Sequence, residues 1–295
     1  MRNVRIRPES AYSKLRMRIV SENRTRLLRK SARVFFLVAL LPALLCAIVL
    51  GQEAERRANP SEEQLLSHLA SGDEEQRLDA VTRAGELILT APDSVKSSII
   101  SALGNSLQTD RSPVVRALAA RAMEISRDDR VVPTLIAALG KEREVAVRKA
   151  IIYSLARYPQ TQVTSALIPF LKDRKHELRA AAAYALAEIG DASSAQALIE
   201  VLRRRGKDED AFARSQAARG LGQIGSRDAV DSLLEALTRD KFQEVRREAA
   251  RALGRITTKR EAKVIEALRA AMNSNDLYLA TAADEAIASI NLRSQ

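Results

Sequence analysis

Between Val245 and Ile256 the apolar residues fall at 245, 249, 252, 253 and 256. That is the i, i+4, i+7, i+8, i+11 stripe of one helix face. Ala249 and Ala252 are small enough to let another helix approach closely. The stretch recurs along the chain. Val115-Arg116-Ala117-Leu118 leads to Met123, Val147-Arg148-Lys149-Ala150 to Leu155, Leu178-Arg179-Ala180-Ala181 to Leu186 and Ile189, and Ala213-Arg214-Ser215-Gln216 to Leu221 and Ile224. Weaker copies begin at Gln76-Arg77 and Leu279-Ala280. Counted at the Arg position, the sites are 77, 116, 148, 179, 214, 246 and 280, spaced by 39, 32, 31, 35, 32 and 34 residues. A period in this range is the signature of a solenoid.

A second helix is predicted before each copy, with two adjacent apolar residues and a Leu three places on. Its copies are Leu65-Leu66 with Leu69, Ile99-Ile100 with Leu103, Leu135-Ile136 with Leu139 and Leu167-Ile168 with Leu171. They continue as Leu198-Ile199 with Leu202, Leu233-Leu234 with Leu237 and Val264-Ile265 with Leu268. Seven helix pairs follow. None can bury its apolar face alone, so the pairs are expected to stack, each covering its neighbour.

The two motifs together resemble the HEAT repeat, and most closely the bacterial HEAT-like repeats of the bilin-lyase type. The resemblance runs from about Ser61 to Ile290 and includes the turns at Ile189-Gly190 and Ile224-Gly225. It implies an all-α, right-handed α-solenoid of about seven helix pairs over 61–295, and it says little about function, because this repeat serves many roles. Pro133 is expected at the start of a helix, where its missing N–H is harmless. Pro169 should kink the first helix of pair four. Ser61 is a candidate N-cap for the first helix, and Pro92-Asp93-Ser94 a second cap signal.

The N-terminus breaks the pattern. Residues 34–51 begin with VFFLVALLPALLCAIVL, 17 residues without a charge. At 1.5 Å per residue this run spans roughly 25 Å, slightly less than the ~30 Å hydrocarbon core. It is expected to form one hydrophobic helix, either a cleaved signal peptide or a transmembrane anchor. Residues 1–33 carry 11 Lys and Arg against Glu9 and Glu22, or +9, so they should stay cytoplasmic. A start at Met17 would shorten this arm. With 52–60 as a linker, the solenoid is expected on the extracytoplasmic, periplasmic side. The sole Cys, Cys46, lies in the apolar run, so the exported part has no thiol chemistry. The arm also explains the net charge of +11: the remainder holds 37 basic and 35 acidic residues, so the solenoid is nearly neutral and nucleic acid is not an expected partner.

Candidate chemistry is sparse. An acid stands six residues before the repeat Arg in five copies: Asp110 before Arg116, Glu142 before Arg148, Asp173 before Arg179, Asp208 before Arg214 and Asp240 before Arg246. In the resembling family these positions form a structural ladder. Each acid is expected to take helix N-terminal N–H groups and to pair with the Arg of its own copy. An anion-binding row of arginines is the competing reading, but a ligand site would not need the acids. His68 and His176 stand three repeats apart without Cys, so no metal centre is expected. Gly220-Leu221-Gly222 lies inside a repeat helix, where other copies carry Ala or Gly, and is no phosphate loop. No catalytic triad and no cofactor motif is found. Tyr153 and Tyr184 occupy equivalent places in consecutive second helices and are the best aromatic candidates for a partner contact. Arg203, Arg204, Arg205 and Lys207 form a local basic cluster, offset by Asp208, Glu209 and Asp210, that could meet an anionic partner.

The expectation is a non-catalytic scaffold that binds another protein, contacts the membrane only through residues 34–51 and takes no small-molecule substrate. The alternative implied by the resemblance is a bilin-lyase-like or chromophore-handling protein, which predicted export opposes. A DNA glycosylase of HEAT-like fold is opposed by the near-neutral solenoid and the lack of Trp.

Overall fold

The computed structural model describes residues 62–204 and 210–293. The basic arm, the apolar run, the linker, Ser61, Asp208, Arg205 and Lys207 lie outside the described residues. Those residues hold fourteen α-helices that pack as seven successive pairs. The pairs are α1 (Glu62–Ser71) with α2 (Glu74–Leu87), α3 (Asp93–Thr109) with α4 (Pro113–Ser126), α5 (Val132–Lys141) with α6 (Val145–Leu155) and α7 (Thr161–Leu167) with α8 (His176–Ile189). They continue with α9 (Ala195–Arg203) and α10 (Ala211–Ile224), α11 (Val230–Arg239) and α12 (Gln243–Ile256), and α13 (Ala262–Met272) and α14 (Leu277–Leu292). Each second helix packs on its own partner and on the second helix of the next pair.

The predicted stripe is the buried one. Val115, Ala119 and Met123 are fully buried, as are Val147, Ile151 and Leu155, and then Val245, Ala249 and Leu253. The first helices contribute Leu65 and Leu69, Leu135 and Leu139, and Leu233 and Leu237 to the same continuous core. Each such Leu contributes about 1.5–3 kcal/mol by leaving water.

Small residues set the spacing between second helices. A Cβ on Gly222 would lie 2.8 Å from Cα of Ala252, and one on Gly254 would lie 2.5 Å from Cα of Ala286. Both distances are within contact range of backbone, so α10, α12 and α14 meet at positions where only hydrogen fits. Cross-repeat hydrogen bonds add direction: the Ser154 hydroxyl donates to the Ala120 carbonyl at 3.0 Å, and the buried Tyr158 hydroxyl to that of Met123 at 3.0 Å.

The turns follow from local chemistry. Gly190 and Gly225 end α8 and α10 with φ of 68° and 73°, which glycine adopts without strain. Asp73 caps α2 with a reciprocal bond to Gln76, a start signal the periodicity did not reveal. Pro133 sits in the first turn of α5 as expected. Pro92 precedes α3 without a side-chain capping bond, and Asp93 provides the acidic first turn. Pro169 does more than kink its helix: α7 ends at Leu167, and residues Ile168–Lys172 continue as a 3-10 turn. The missing N–H of proline removes one α-helical bond, and the tighter turn restores the packing of Leu171. Among the described residues no helix is long and apolar enough to cross a membrane.

Candidate functional site

Two sets of polar residues run along the stack. The first follows the turn inside each pair. The repeat Arg lies in the first turn or so of the second helix, and helical side chains lean toward the N-terminus, so its guanidinium sits at the level of that turn. There it meets a backbone carbonyl of its own repeat. Arg116 Nη1 donates to the Asp110 carbonyl at 2.8 Å, Arg179 Nη1 to that of Asp173 at 2.9 Å, and Arg246 Nη1 to that of Asp240 at 2.9 Å. The carboxylates point the other way. Asp110 pairs with Arg77 at 2.7 Å, Glu142 with Arg116 at 2.7 Å, Asp173 with Arg148 at 3.3 Å and Asp240 with Arg214 at 2.8 Å.

The ladder is therefore real, but its pairing differs from the expected one. Each carboxylate serves the Arg of the preceding repeat and not that of its own. Asp208 lies outside the described residues, and Asp210 takes the partnership with Arg179 at 2.6 Å. Four of the carboxylates also accept N–H groups of their own turn: Asp110 from Ser112 at 2.8 Å, Glu142 from Arg143 and Glu144, Asp173 from Lys175 and Asp240 from Phe242. Each of these four rungs thus ties two repeats and one turn together. Arg246 meets no carboxylate among the described residues, because Ser274 stands where the sixth acid would be. The Ser274 hydroxyl keeps half of the role by accepting the Asp276 N–H at 3.1 Å.

Burial grades the rungs. The Arg214 and Asp240 side chains are each 1% exposed, whereas Arg148 and Asp173 are 23% and 18% exposed. Arg148 compensates by placing its guanidinium 4.7 Å from the Phe170 ring. Donating to Asp110 raises the Arg77 pKa, and donating to Glu142 raises that of Arg116. Burial alone would push Glu142 upward. The bonds from Arg116 and from the Glu144 and Arg143 N–H groups outweigh it and hold the carboxyl below its ordinary value. Most of these groups satisfy one another; the buried Arg148 Nε finds no hydrogen-bond partner among the described residues, and Arg246 finds no carboxylate there.

The second set lies on the exposed side of the second helices, five places after the repeat Arg. Tyr153 of α6 and Tyr184 of α8 meet edge to face, with ring centroids 5.6 Å apart and planes at 80°. The structure brings this predicted pair together. Arg219 of α10 occupies the next equivalent place and lies 5.5 Å from the Tyr184 ring. It also sits 2.6 Å from Glu188, in an ionic contact, while its Nε donates to the Gln216 side chain at 3.0 Å. Sequence reasoning missed Arg219. Its register relative to Arg214 was the available signal, but an Arg on an exposed helix face is too common to stand out. Tyr153 is 38% exposed, and burial together with the nearby Tyr184 phenol raises its pKa.

The basic cluster divides. Arg203 Nε donates to the Ser232 hydroxyl at 2.9 Å and Arg204 Nη1 to the Leu171 carbonyl at 2.9 Å, so both brace neighbouring repeats. His176 is exposed and lies 3.6 Å from Glu177. Among the described residues no group of three or more His, Cys, Asp or Glu converges to hold a metal. A cleft of about 640 Å³ opens beside Arg77, Asn105 and Arg111, and one of about 500 Å³ beside Arg116, Lys141 and Arg143. Both lie over ladder rungs.

A family model described as HEAT repeats matches residues 62–156, 100–174, 132–210 and 205–288. No curated protein matches the sequence. Among solved structures, the chain is similar to an engineered protein at 22% identity and a TM-score of 0.51, covering 78% of this chain and 68% of that one. It is also similar to the complex of CpcE and CpcF of phycocyanin lyase from Nostoc sp., at 22% identity and a TM-score of 0.47, covering 79% and 94%. The likeness to the engineered protein is one of fold.

Proposed function

Because the chain belongs to the HEAT-repeat family, we propose that it works as a non-catalytic scaffold that holds a partner protein against the groove formed by its second helices. Stacked helix pairs offer a long surface of this kind, suited to protein binding. The observation that carries the reading is the partly exposed Tyr153–Tyr184 pair with Arg219 beside it, a cluster of the residue types that anchor interfaces. The ladder supports it from the other side, since its five carboxylates are paired with arginines within the fold. The N-terminal sequence adds a location. The basic arm and the apolar run at 34–51 would export or tether the protein and place the solenoid on the extracytoplasmic side.

The test is photocrosslinking in intact cells from p-azidophenylalanine at position 184, with the same group at position 231 on the outer helix α11 as control. The expected result is an adduct with one envelope protein from position 184 and none from 231, with the mass of the bait reporting cleavage near Gly51. No adduct from 184, or adducts only with cytosolic proteins or nucleic acid, would overturn the reading.

A further inference from the structure

The place five residues after the repeat Arg is held by Arg121, Tyr153, Tyr184, Arg219 and Arg251 in five consecutive second helices. It is closed off by Thr82 at one end and Glu285 at the other. All five residues end in hydrogen-bond donors, and all five side chains are exposed or half-buried. Contact along the row is direct at its centre, through the tyrosine pair and the Arg219–Tyr184 stack.

The donors are largely unused within the chain. Neither the Tyr153 nor the Tyr184 hydroxyl has a hydrogen-bond partner among the described residues, and Arg121 makes no ion pair there. Glu188 and Gln216 together engage two nitrogens of Arg219, and Glu248 engages one of Arg251 at 2.6 Å, which leaves part of the five N–H groups of each guanidinium over. Lys149 and Arg255, on the same helices, add positive charge and make no ion pair among the described residues.

We infer that this row binds an extended acidic segment of the partner protein, its carboxylates and backbone carbonyls accepting from Arg121, Tyr153, Tyr184, Arg219 and Arg251 in turn. Packed helices are spaced about 8–10 Å apart, so four steps span roughly 32–40 Å. An extended chain rises about 3.3 Å per residue, so the segment has about ten to twelve residues with an acceptor near every third. The inference rests on the scaffold reading and adds the chemistry of what is held.

The test uses the purified full chain in detergent and a fluorescein-labelled peptide of about twelve residues made of Glu-Ser-Gly repeats, with a Lys-Ser-Gly peptide of equal length as its opposite. Fluorescence anisotropy should show binding of the Glu peptide alone, weakened as salt rises from low to physiological strength. An Arg121→Glu, Arg251→Glu double variant should weaken it about tenfold or more. The milder Arg121→Gln, Arg251→Gln variant should weaken it less, and circular dichroism should show both folded. Equal binding of the two peptides, no binding of either, or unchanged affinity in both variants would overturn the inference. So would equal competition by an oligothymidine of similar length, which would reassign the row to anions in general. The crosslink from position 184 separates the two readings. An adduct that persists undiminished in the double variant leaves the scaffold standing and removes the acidic segment. Loss of the adduct in the variant alone supports both. Absence of the adduct in the parent protein removes the scaffold, and the peptide titration then judges the row by itself.

Discussion

Arg214 and Arg219 stand five residues apart on α10 and do opposite things. Arg214 is buried, with Nε and Nη2 donating to both oxygens of Asp240 at 2.8 and 3.2 Å. Arg219 lies at the surface, against a tyrosine ring and a half-exposed glutamate. The same division runs along the stack, with Arg116 and Arg179 on one edge and Arg121 and Tyr184 on the open face. Residue type does not separate structure from recognition here. Register does, because a helix turns its positions toward different neighbours. A charge count that pools the arginines hides this, since part of the basic charge is neutralised inside rungs and never meets a partner.

The sharpest way to break the comparison is to remove a buried carboxylate. Asp240→Ala takes from the buried Arg214 the carboxylate that meets it at 2.8 Å, which costs about 3–5 kcal/mol. For a domain of this size each kcal/mol lowers the melting temperature by roughly 2–4 °C, so a fall of about 10 °C is expected in a calorimetric scan. Asp173→Ala strikes the same kind of rung where the pair is longer and wetter, and about 1 kcal/mol is expected. Equal losses in the two variants would show that burial does not grade the ladder.

Packing between second helices offers the next largest effect. In Gly254→Ala the new methyl would lie 2.5 Å from Cα of Ala286, which is backbone and cannot step aside, so α12 and α14 must separate at about 1–3 kcal/mol. Gly140→Ala, in α5, meets nothing within 4 Å and should stabilise by about 0.4–1 kcal/mol. Opposite signs in urea titrations of the two variants are the expected outcome. The same sign for both would mean that the close approach of α12 and α14 is not set by Gly254.

The helix pairs and their period were legible in the sequence because burial demands apolar residues at fixed spacing, and Leu135, Val147 and Leu253 lie where the stripe put them. The ladder was legible only as a list of members. Spacing along the chain says that Glu142 recurs with Arg148, but which repeat it faces depends on where the side chain points, and Glu142 points to Arg116. Asp210 was missed for a different reason: the insertion after Arg204 shifts the register, so counting six back from Arg214 lands on Asp208. At Pro169 the expected kink became a 3-10 turn, because propensity gives the break and tertiary packing chooses how it is repaired. On the open face the tyrosines were noticed because aromatics are rare in this chain. Arg121, Arg219 and Arg251 were not, since nothing local marks an exposed Arg as part of a row.

Acid tests the ladder more gently. The folded pKa of Glu142 lies below its ordinary value, so its rung contributes stability fully above the pKa of the unfolded chain. The contribution begins to fade near pH 4.3, where an unfolded Glu takes up its proton, and it is gone once pH passes below the folded value. Glu142→Gln should therefore lower the melting temperature at neutral pH, and the gap to the parent should close on acidification through that window. A gap that stays constant from pH 7 to strongly acidic solution would show that the Arg116 bond does not depend on the charge of Glu142.

The smallest effect on stability is expected where the comparison is most demanding. Tyr184→Phe removes one hydroxyl and keeps the ring, so the edge contact with Tyr153 and the stack of Arg219 are retained. No hydrogen bond among the described residues is lost, and the change in stability should stay within about 0.5 kcal/mol, as for a surface substitution. On the proposed row, binding should respond differently, because a donor that would meet an acceptor in the partner is lost, at about 0.5–1.5 kcal/mol for one hydrogen bond between neutral groups. A melting curve superimposable on the parent, together with weaker binding of the Glu-Ser-Gly peptide, would separate the row from the ladder by a single oxygen atom. A lowered melting temperature with unchanged binding would put Tyr184 with the ladder arginines, as part of what holds the repeats together.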